Sequence, residues 1–249
     1  MARVRLDTLL VTRGLAASRE RARALVLAGQ VQVDGVPAAK AGHLIDEQAS
    51  LSLAVRDHPY VSRGGVKLAH ALDAFAISVR GRLALDIGAS TGGFTDVLLK
   101  AGAVRVLALD VGHGQIDWTL RNDARVVVVE RVNARTLTPD MLPAGLRAFD
   151  IVTIDVSFIS LRLILPVVPS LIGPGADVVA LVKPQFEAGR REVGKGGLVR
   201  DERVHARVIA EVTEAADRVG LARVADTASP LPGAEGNREY FLHLRAARA

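Results

Sequence analysis

The sequence predicts an α/β domain built on a parallel sheet covered on both faces, preceded by a small helix–helix–hairpin module. Three observations carry this reading. Seven apolar, β-branched runs alternate with helical segments from residue 83 onward, and continuous runs of that kind mark strands buried on both faces. Before residue 62 the pattern differs: two short amphipathic segments precede an alternating stretch. Between the first run and the next helical segment lies a glycine-rich loop, the setting that a nucleotide-type loop requires. The 249 residues suffice for one large domain, or a large one with a small companion.

The elements follow in order. Leu6, Leu9, Leu10 and Leu15 suggest a short helix that ends near Gly14. Ser18 is placed to cap a second helix over 19–28, stopped by Gly29. Val31, Val33 and Val36 alternate around Asp34-Gly35, a strong hairpin signal. Residues 56–60 have neither periodicity and contain Pro59, which reads as a linker. The expected boundaries are 1–58 for the module, 59–62 for the linker and 63–249 for the α/β domain. A helix over 65–75 comes next, then strands at 83–87, 104–109, 126–129, 151–154, 178–182, 223–225 and 240–244.

Composition narrows the chemistry. Apolar residues make up 49% and charged residues 24%, values of a globular chain with a real core. Cysteine is absent, which excludes disulfide frameworks, thiolate zinc sites and cysteine nucleophiles. The six histidines show no metal-ligand spacing, so no metal is expected. The most apolar stretch, 161–172, is interrupted by Arg162, Pro166 and Pro169, and a membrane span needs roughly 20 apolar residues. The start of the chain lacks a secretion signal, so a cytoplasmic location and no stable membrane association are expected. The formal charge is +5, and the basic set is 27 Arg against 5 Lys. That bias fits background composition and draws attention to each lysine. Six of the arginines fall within residues 1–25, so the positive field sits in the first two helices.

Asp86-Ile87-Gly88-Ala89-Ser90-Thr91-Gly92-Gly93 is the strongest local motif. Asp110 ends the second run, where an acid can accept hydrogen bonds from ribose hydroxyls. The spacing departs from G-x-G-x-x-G, and an acid before the glycines suits a cationic adenosyl ligand such as S-adenosylmethionine. Asp155 and Lys183 end the fourth and fifth runs, where ligand groups of open α/β sheets gather. As a pair they fit a functional site and a structural ion pair about equally. Lys67 reads by itself as a solvated helical lysine, and Glu239 as part of a turn into an exposed edge strand. Lys195, among glycines, suits a phosphate contact or a mobile loop. Trp118 reads as packing, with the adenine pocket as the alternative.

With these residues in view, the C-terminal part resembles the FtsJ-like ribose 2′-O-methyltransferases, marked by a Lys–Asp–Lys–Glu tetrad. Lys67, Asp155, Lys183 and Glu239 stand in the matching places and order. The N-terminal module resembles the S-four type of RNA-binding domain through Arg5, Asp7, Ser18, Arg19 and residues 29–35. Together, over nearly the whole chain, they resemble the TlyA family of ribosomal RNA methyltransferases, also labelled haemolysins. The most specific pieces are 62–67, 86–95, 155–160 and 183–187. Asp57 to Tyr60 and Pro232 to Asn237 are less basic than the family's usual segments.

The resemblance implies a Rossmann-like class I methyltransferase domain with a mostly parallel seven-stranded sheet, plus a small α+β RNA-binding domain. It implies cytidine 2′-O-methylation of ribosomal RNA, free or in ribosomal subunits, with S-adenosylmethionine. Lys183 is then expected to be the base or to orient the hydroxyl, with Asp155 and Glu239 holding the lysines. Lys67 would add positive charge beside Lys183. Asp86, Gly88, Ser90 and Gly92 would hold the methionine part of the cofactor, Asp110 its ribose and Asn133 its adenine. Arg3, Arg5, Arg19, Arg23 and Lys195 would contact RNA. A membrane-active haemolysin and a non-catalytic RNA-binding assembly factor are the alternatives. The first would need a spanning or amphipathic segment; the second leaves the tetrad without a use.

Overall fold

The computed structural model describes residues 3–16, 18–53, 58–233 and 236–246. In the N-terminal part, β1 (Arg3–Arg5) runs into α1 (Leu6–Thr12), followed by α2 (Arg19–Leu27). The Ser18 hydroxyl accepts the Arg21 amide at 3.1 Å, so the expected cap is present. β2 (Val31–Val33) and β3 (Val36–Pro37) form the hairpin. Asp34 and Gly35 both take positive φ there (51° and 78°), as a two-residue turn of primed type requires. β4 (Leu44–Asp46) pairs with β1, and β5 (Leu51–Leu53) with β2. Those three-residue strands have too little periodicity to show in the sequence. Leu6, Leu9, Leu10, Leu25, Val26 and Val31 close this module's own core.

Of the stretch expected to be a linker, residues 56 and 57 lie outside the described residues. Residues 59–61 are packed down on the second domain. The Val61 amide donates to Asp96 at 2.9 Å, and Lys100 donates to the Pro59 carbonyl and lies 5.3 Å over the Tyr60 ring.

The larger part opens with α3 (Arg63–Ala74), β6 (Leu83–Ile87), α4 (Gly93–Lys100), β7 (Arg105–Asp110), α5 (Trp118–Arg121) and β8 (Val126–Glu130). It continues through β9 (Phe149–Ile154), β10 (Ile172–Val182), α6 (Pro184–Glu187), α7 (Glu202–Asp217), β11 (Leu221–Ala228) and β12 (Tyr240–Ala246). One seven-stranded sheet results, in the order β11-β12-β10-β9-β6-β7-β8. Only β12 runs against its neighbours. The expected edge placement of the last strand is therefore wrong: β12 lies inside the sheet and β11 forms the rim. Two apolar clusters cover the faces, one over Leu85, Leu107 and Val152, the other over Ala84, Val106 and Ile151. This alternation is what a sheet buried on both sides requires. No helix among the described residues is long and apolar enough to cross a membrane.

Candidate active site

The chain goes outward from β6 to β7 and β8, then returns to place β9 on the other side of β6. Such a reversal opens a crevice at the carboxyl ends of the strands. Gly88 leaves β6 with φ +86°, and a Cβ there would stand 2.3 Å from the Asp155 carbonyl oxygen. Glycine alone lets the ends of β6 and β9 meet so closely. Ser90 lines the crevice, and its amide donates to Asp110 Oδ2 at 2.8 Å. Asp110 Oδ1 accepts the Gly112 amide at 2.6 Å, which fixes the carboxylate between two loops.

The tetrad residues come together in the same cleft, beside Gly88, Ala89 and Ser90. They form two pairs: Lys67 Nζ lies 2.6 Å from Glu239 Oε2, and Lys183 Nζ lies 2.5 Å from Asp155 Oδ1. Lys183 also donates to the Ser157 hydroxyl at 2.9 Å. Each ammonium thus has its own counter-ion. Lys67 is nearly buried, not the solvated helical lysine its position alone suggests.

Several expected cofactor residues sit elsewhere. Asp86 is fully buried beneath the loop, where Thr95 Oγ1 donates at 2.7 Å and Thr153 Oγ1 at 3.0 Å. Thr153 is its register partner on β9, which explains the second bond. Gly92 (φ +91°) does not line the cleft; a Cβ there would meet Leu120 Cδ1 at 2.3 Å, so packing against α5 demands the glycine. Asn133 is exposed, and its side chain caps a short helical turn by accepting the Arg135 amide at 3.0 Å. Trp118 is 67% exposed, so it is not core packing.

Burial, reinforced by the charge of Asp155, pushes Asp86 up to about 7, and the two threonine hydroxyls offset only part of this. An unfolded chain releases an aspartic proton near 4, so between about pH 4 and 7 the folded state binds more protons. This group's contribution to stability therefore falls as pH rises across that window. Asp86→Asn is expected to flatten the slope in denaturant midpoints measured from pH 4 to 8; an unchanged slope would refute the assignment.

The N-terminal module reaches this site. Leu27 and Ala28, at the end of α2, line the same cleft. Arg21 NH1 lies 3.0 Å from Asp117 Oδ2. Asp117 caps α5, and its amide donates to Thr91 of the glycine loop at 3.1 Å. On the outer side, Asp7 is fully buried and gathers three of the expected RNA arginines. Arg5 grips it with two bonds of 3.0 and 2.8 Å, Arg23 Nε lies at 3.2 Å and Arg19 NH2 at 3.4 Å. The Arg5 fork holds the Asp7 carboxyl well below the usual carboxylate range. One carboxylate against three guanidiniums leaves a net positive, half-exposed cluster. Arg3 is exposed on β1. Lys195 is exposed and has no ion-pair partner among the described residues.

Sequence reasoning passed over Ser157, Phe158, Leu27 and the role of Asp7. Phe158, next in the chain to Ser157 of the cleft, is 90% exposed, with φ +64° and its ring 5.1 Å from that of Phe186. It is a left-handed, exposed aromatic three residues after the strand-end acid Asp155, and neither property can be read from a run of letters. No three His, Asp or Glu side chains among the described residues group as a metal site.

Comparison with known proteins places this architecture. The FtsJ-like methyltransferase family matches residues 60–246, and the S4 domain matches residues 4–50. The chain is 50% identical, over 98% of its length and 90% of the relative's, to the protein named 16S/23S rRNA (cytidine-2′-O)-methyltransferase TlyA of Mycobacterium tuberculosis (strain ATCC 25618 / H37Rv). It is also 50% identical to YqxC of Bacillus subtilis (strain 168), provisionally named an rRNA methyltransferase, over 96% of this chain and 85% of that one. A solved Streptococcus thermophilus protein that bears a provisional hemolysin name superposes with a TM-score of 0.76 at 43% identity, covering 100% of this chain and 90% of that one. The chain belongs to the FtsJ-like methyltransferases, within the TlyA group that carries an S4 domain at its N-terminal end.

Proposed function

We propose that the protein transfers a methyl group to a ribose 2′-hydroxyl of cytidine in ribosomal RNA, in the cytoplasm, on free RNA or on ribosomal subunits. The observation that carries this reading is the convergence of two lysine–carboxylate pairs in one cleft beside a glycine loop. The names of the relatives support the substrate.

The crevice fits S-adenosylmethionine. Small residues floor it, and the Asp110 carboxylate, outside that lining but bonded to the amide of Ser90 in it, keeps lone pairs free for ribose hydroxyls. When bound, this cofactor supplies a methyl on a sulfonium, whose carbon–sulfur bond breaks with its electron pair passing to sulfur. An alcohol is a weak nucleophile, and its proton must leave as the oxygen–carbon bond forms. Lys183 in its neutral form takes that proton on Nζ; arginine could not, because its guanidinium does not release a proton. Asp155 orients Lys183, and Glu239 holds Lys67 on the other wall. The Asp7-centred arginines, with Arg3 and Lys195, contact phosphates and position the RNA. Phe158 offers a face on which a base can stack. Residues 1–58 act as the RNA handle and 63–249 as the transferase.

Two measurements test the reading. Methyl label from the cofactor should appear on ribosomal RNA, and mapping should place it on a ribose oxygen; label on a base, or none, would overturn it. Asp110→Ala should raise the cofactor dissociation constant about tenfold or more, since a hydrogen bond to a charged group contributes roughly 1.5–3 kcal/mol. Unchanged binding by calorimetry would move the ribose pocket elsewhere.

A further inference from the structure

We propose that Ser157 is a positioning residue that fixes the direction of the Lys183 lone pair. The inference rests on the reading of Lys183 as the base, and deepens it. An ammonium carries three N–H bonds at tetrahedral angles. At Lys183 one of them is donated to Ser157 Oγ at 2.9 Å. Asp155 Oδ1 lies 2.5 Å from Nζ as an ion-pair contact, and no hydrogen bond reaches that oxygen. Ser157 is therefore the one hydrogen-bond acceptor of Lys183 among the described residues. When the ammonium gives a proton to solvent, the neutral amine keeps two N–H bonds, one of them held on Ser157, and its lone pair takes one of the two remaining vertices.

Without Ser157 no hydrogen bond would set the rotation about Cε–Nζ, and the lone pair would sweep a cone. The bond to Ser157 stops that rotation. The ribose hydroxyl proton passes to this lone pair while the hydroxyl oxygen forms its bond to the methyl carbon, so the angle of the lone pair sets how well the oxygen is aimed.

The local structure supports a positioning role over a packing one. Ser157 is exposed in the cleft, so removing its hydroxyl opens no hole in the core. Its place is set by backbone: the Asp155 amide donates to the Ile87 carbonyl at 2.9 Å, and Phe158 turns the chain at φ +64° just beyond.

Ser157→Ala should lower kcat roughly ten- to a hundredfold, leaving KM for RNA, the cofactor dissociation constant and the thermal midpoint unchanged. Ser157→Thr keeps a hydroxyl and should restore most of the turnover. The chain has only five lysines, so the Lys183 side chain can be followed by NMR with ε-carbon-13 lysine. Its signal should shift in Ser157→Ala and return in Ser157→Thr. Parental kcat in Ser157→Ala overturns the proposal, and so does a folded, cofactor-binding Ser157→Thr as slow as the alanine variant. Parental turnover in Lys183→Arg overturns the base assignment and the proposal with it. An inactive Lys183→Arg beside a fully active Ser157→Ala overturns the proposal alone.

Discussion

Lys183→Ala is expected to reduce methyl transfer by roughly 10²–10⁴-fold, the usual contribution of a positioned general base, while cofactor affinity changes little. The reason is geometric. Lys183 reaches into the cleft from the end of β10, ion-paired to Asp155 at the end of β9, whereas Asp110 stands at the end of β7. Removing the amine takes away the group that receives the hydroxyl proton, and leaves Ser90, Asp110 and Gly112 bonded as before. Lys183→Arg sharpens the experiment. It retains a cation near Asp155 but cannot give up its proton. Inactivity in both variants supports proton transfer. Activity retained in arginine alone would assign Lys183 a purely electrostatic part. Single-turnover rates with saturating cofactor, beside calorimetric cofactor binding, decide between these outcomes.

Gly88→Ala is expected to be nearly as damaging by another route. Its φ of +86° is strained for any residue with a Cβ, and that Cβ would press on the Asp155 carbonyl oxygen and carbon at 2.3 and 2.9 Å. The left-handed backbone costs about 1–2 kcal/mol, and forced overpacking costs about 1–3 kcal/mol. Stability should fall by about 2–5 kcal/mol, read from denaturant midpoints. Activity should fall further than the unfolded fraction explains, because relief requires β6 and β9 to part at their ends. That movement shifts Asp155 and, through the ion pair, Lys183. A Gly88→Ala variant with a parental midpoint and parental turnover would contradict the close approach.

The seven strands of the sheet were legible because a run such as Val126–Glu130 combines β-branched residues with helical segments on either side. Their ends were less so: β11 extends to Leu221–Ala228, with an irregular register near Arg223 that blurs its pattern. The short strands β1, β4 and β5 carry no period. At the site, sequence order placed the four tetrad residues through a family resemblance, but their pairing joins positions as distant as Lys67 and Glu239, and only the folded chain selects partners. Asp86 shows a different limit. The resemblance expects it to hold the methionine part of the cofactor, yet strand geometry turns its side chain inward beside Thr153. Asp7 lies inside the segment that resembles the S-four type of domain, but its hold on Arg5, Arg19 and Arg23 depends on α1 and α2 packing side by side.

The exposed indole of Trp118 has a practical consequence. It is the chain's only tryptophan, and it follows Asp117, which touches Arg21 of the N-terminal module and Thr91 of the glycine loop. Red-edge excitation therefore selects one emitter, placed by the chain itself at the seam between the RNA-handling and cofactor-handling halves. Its emission colour and quenching by iodide will register events on either side of that seam in unlabelled protein.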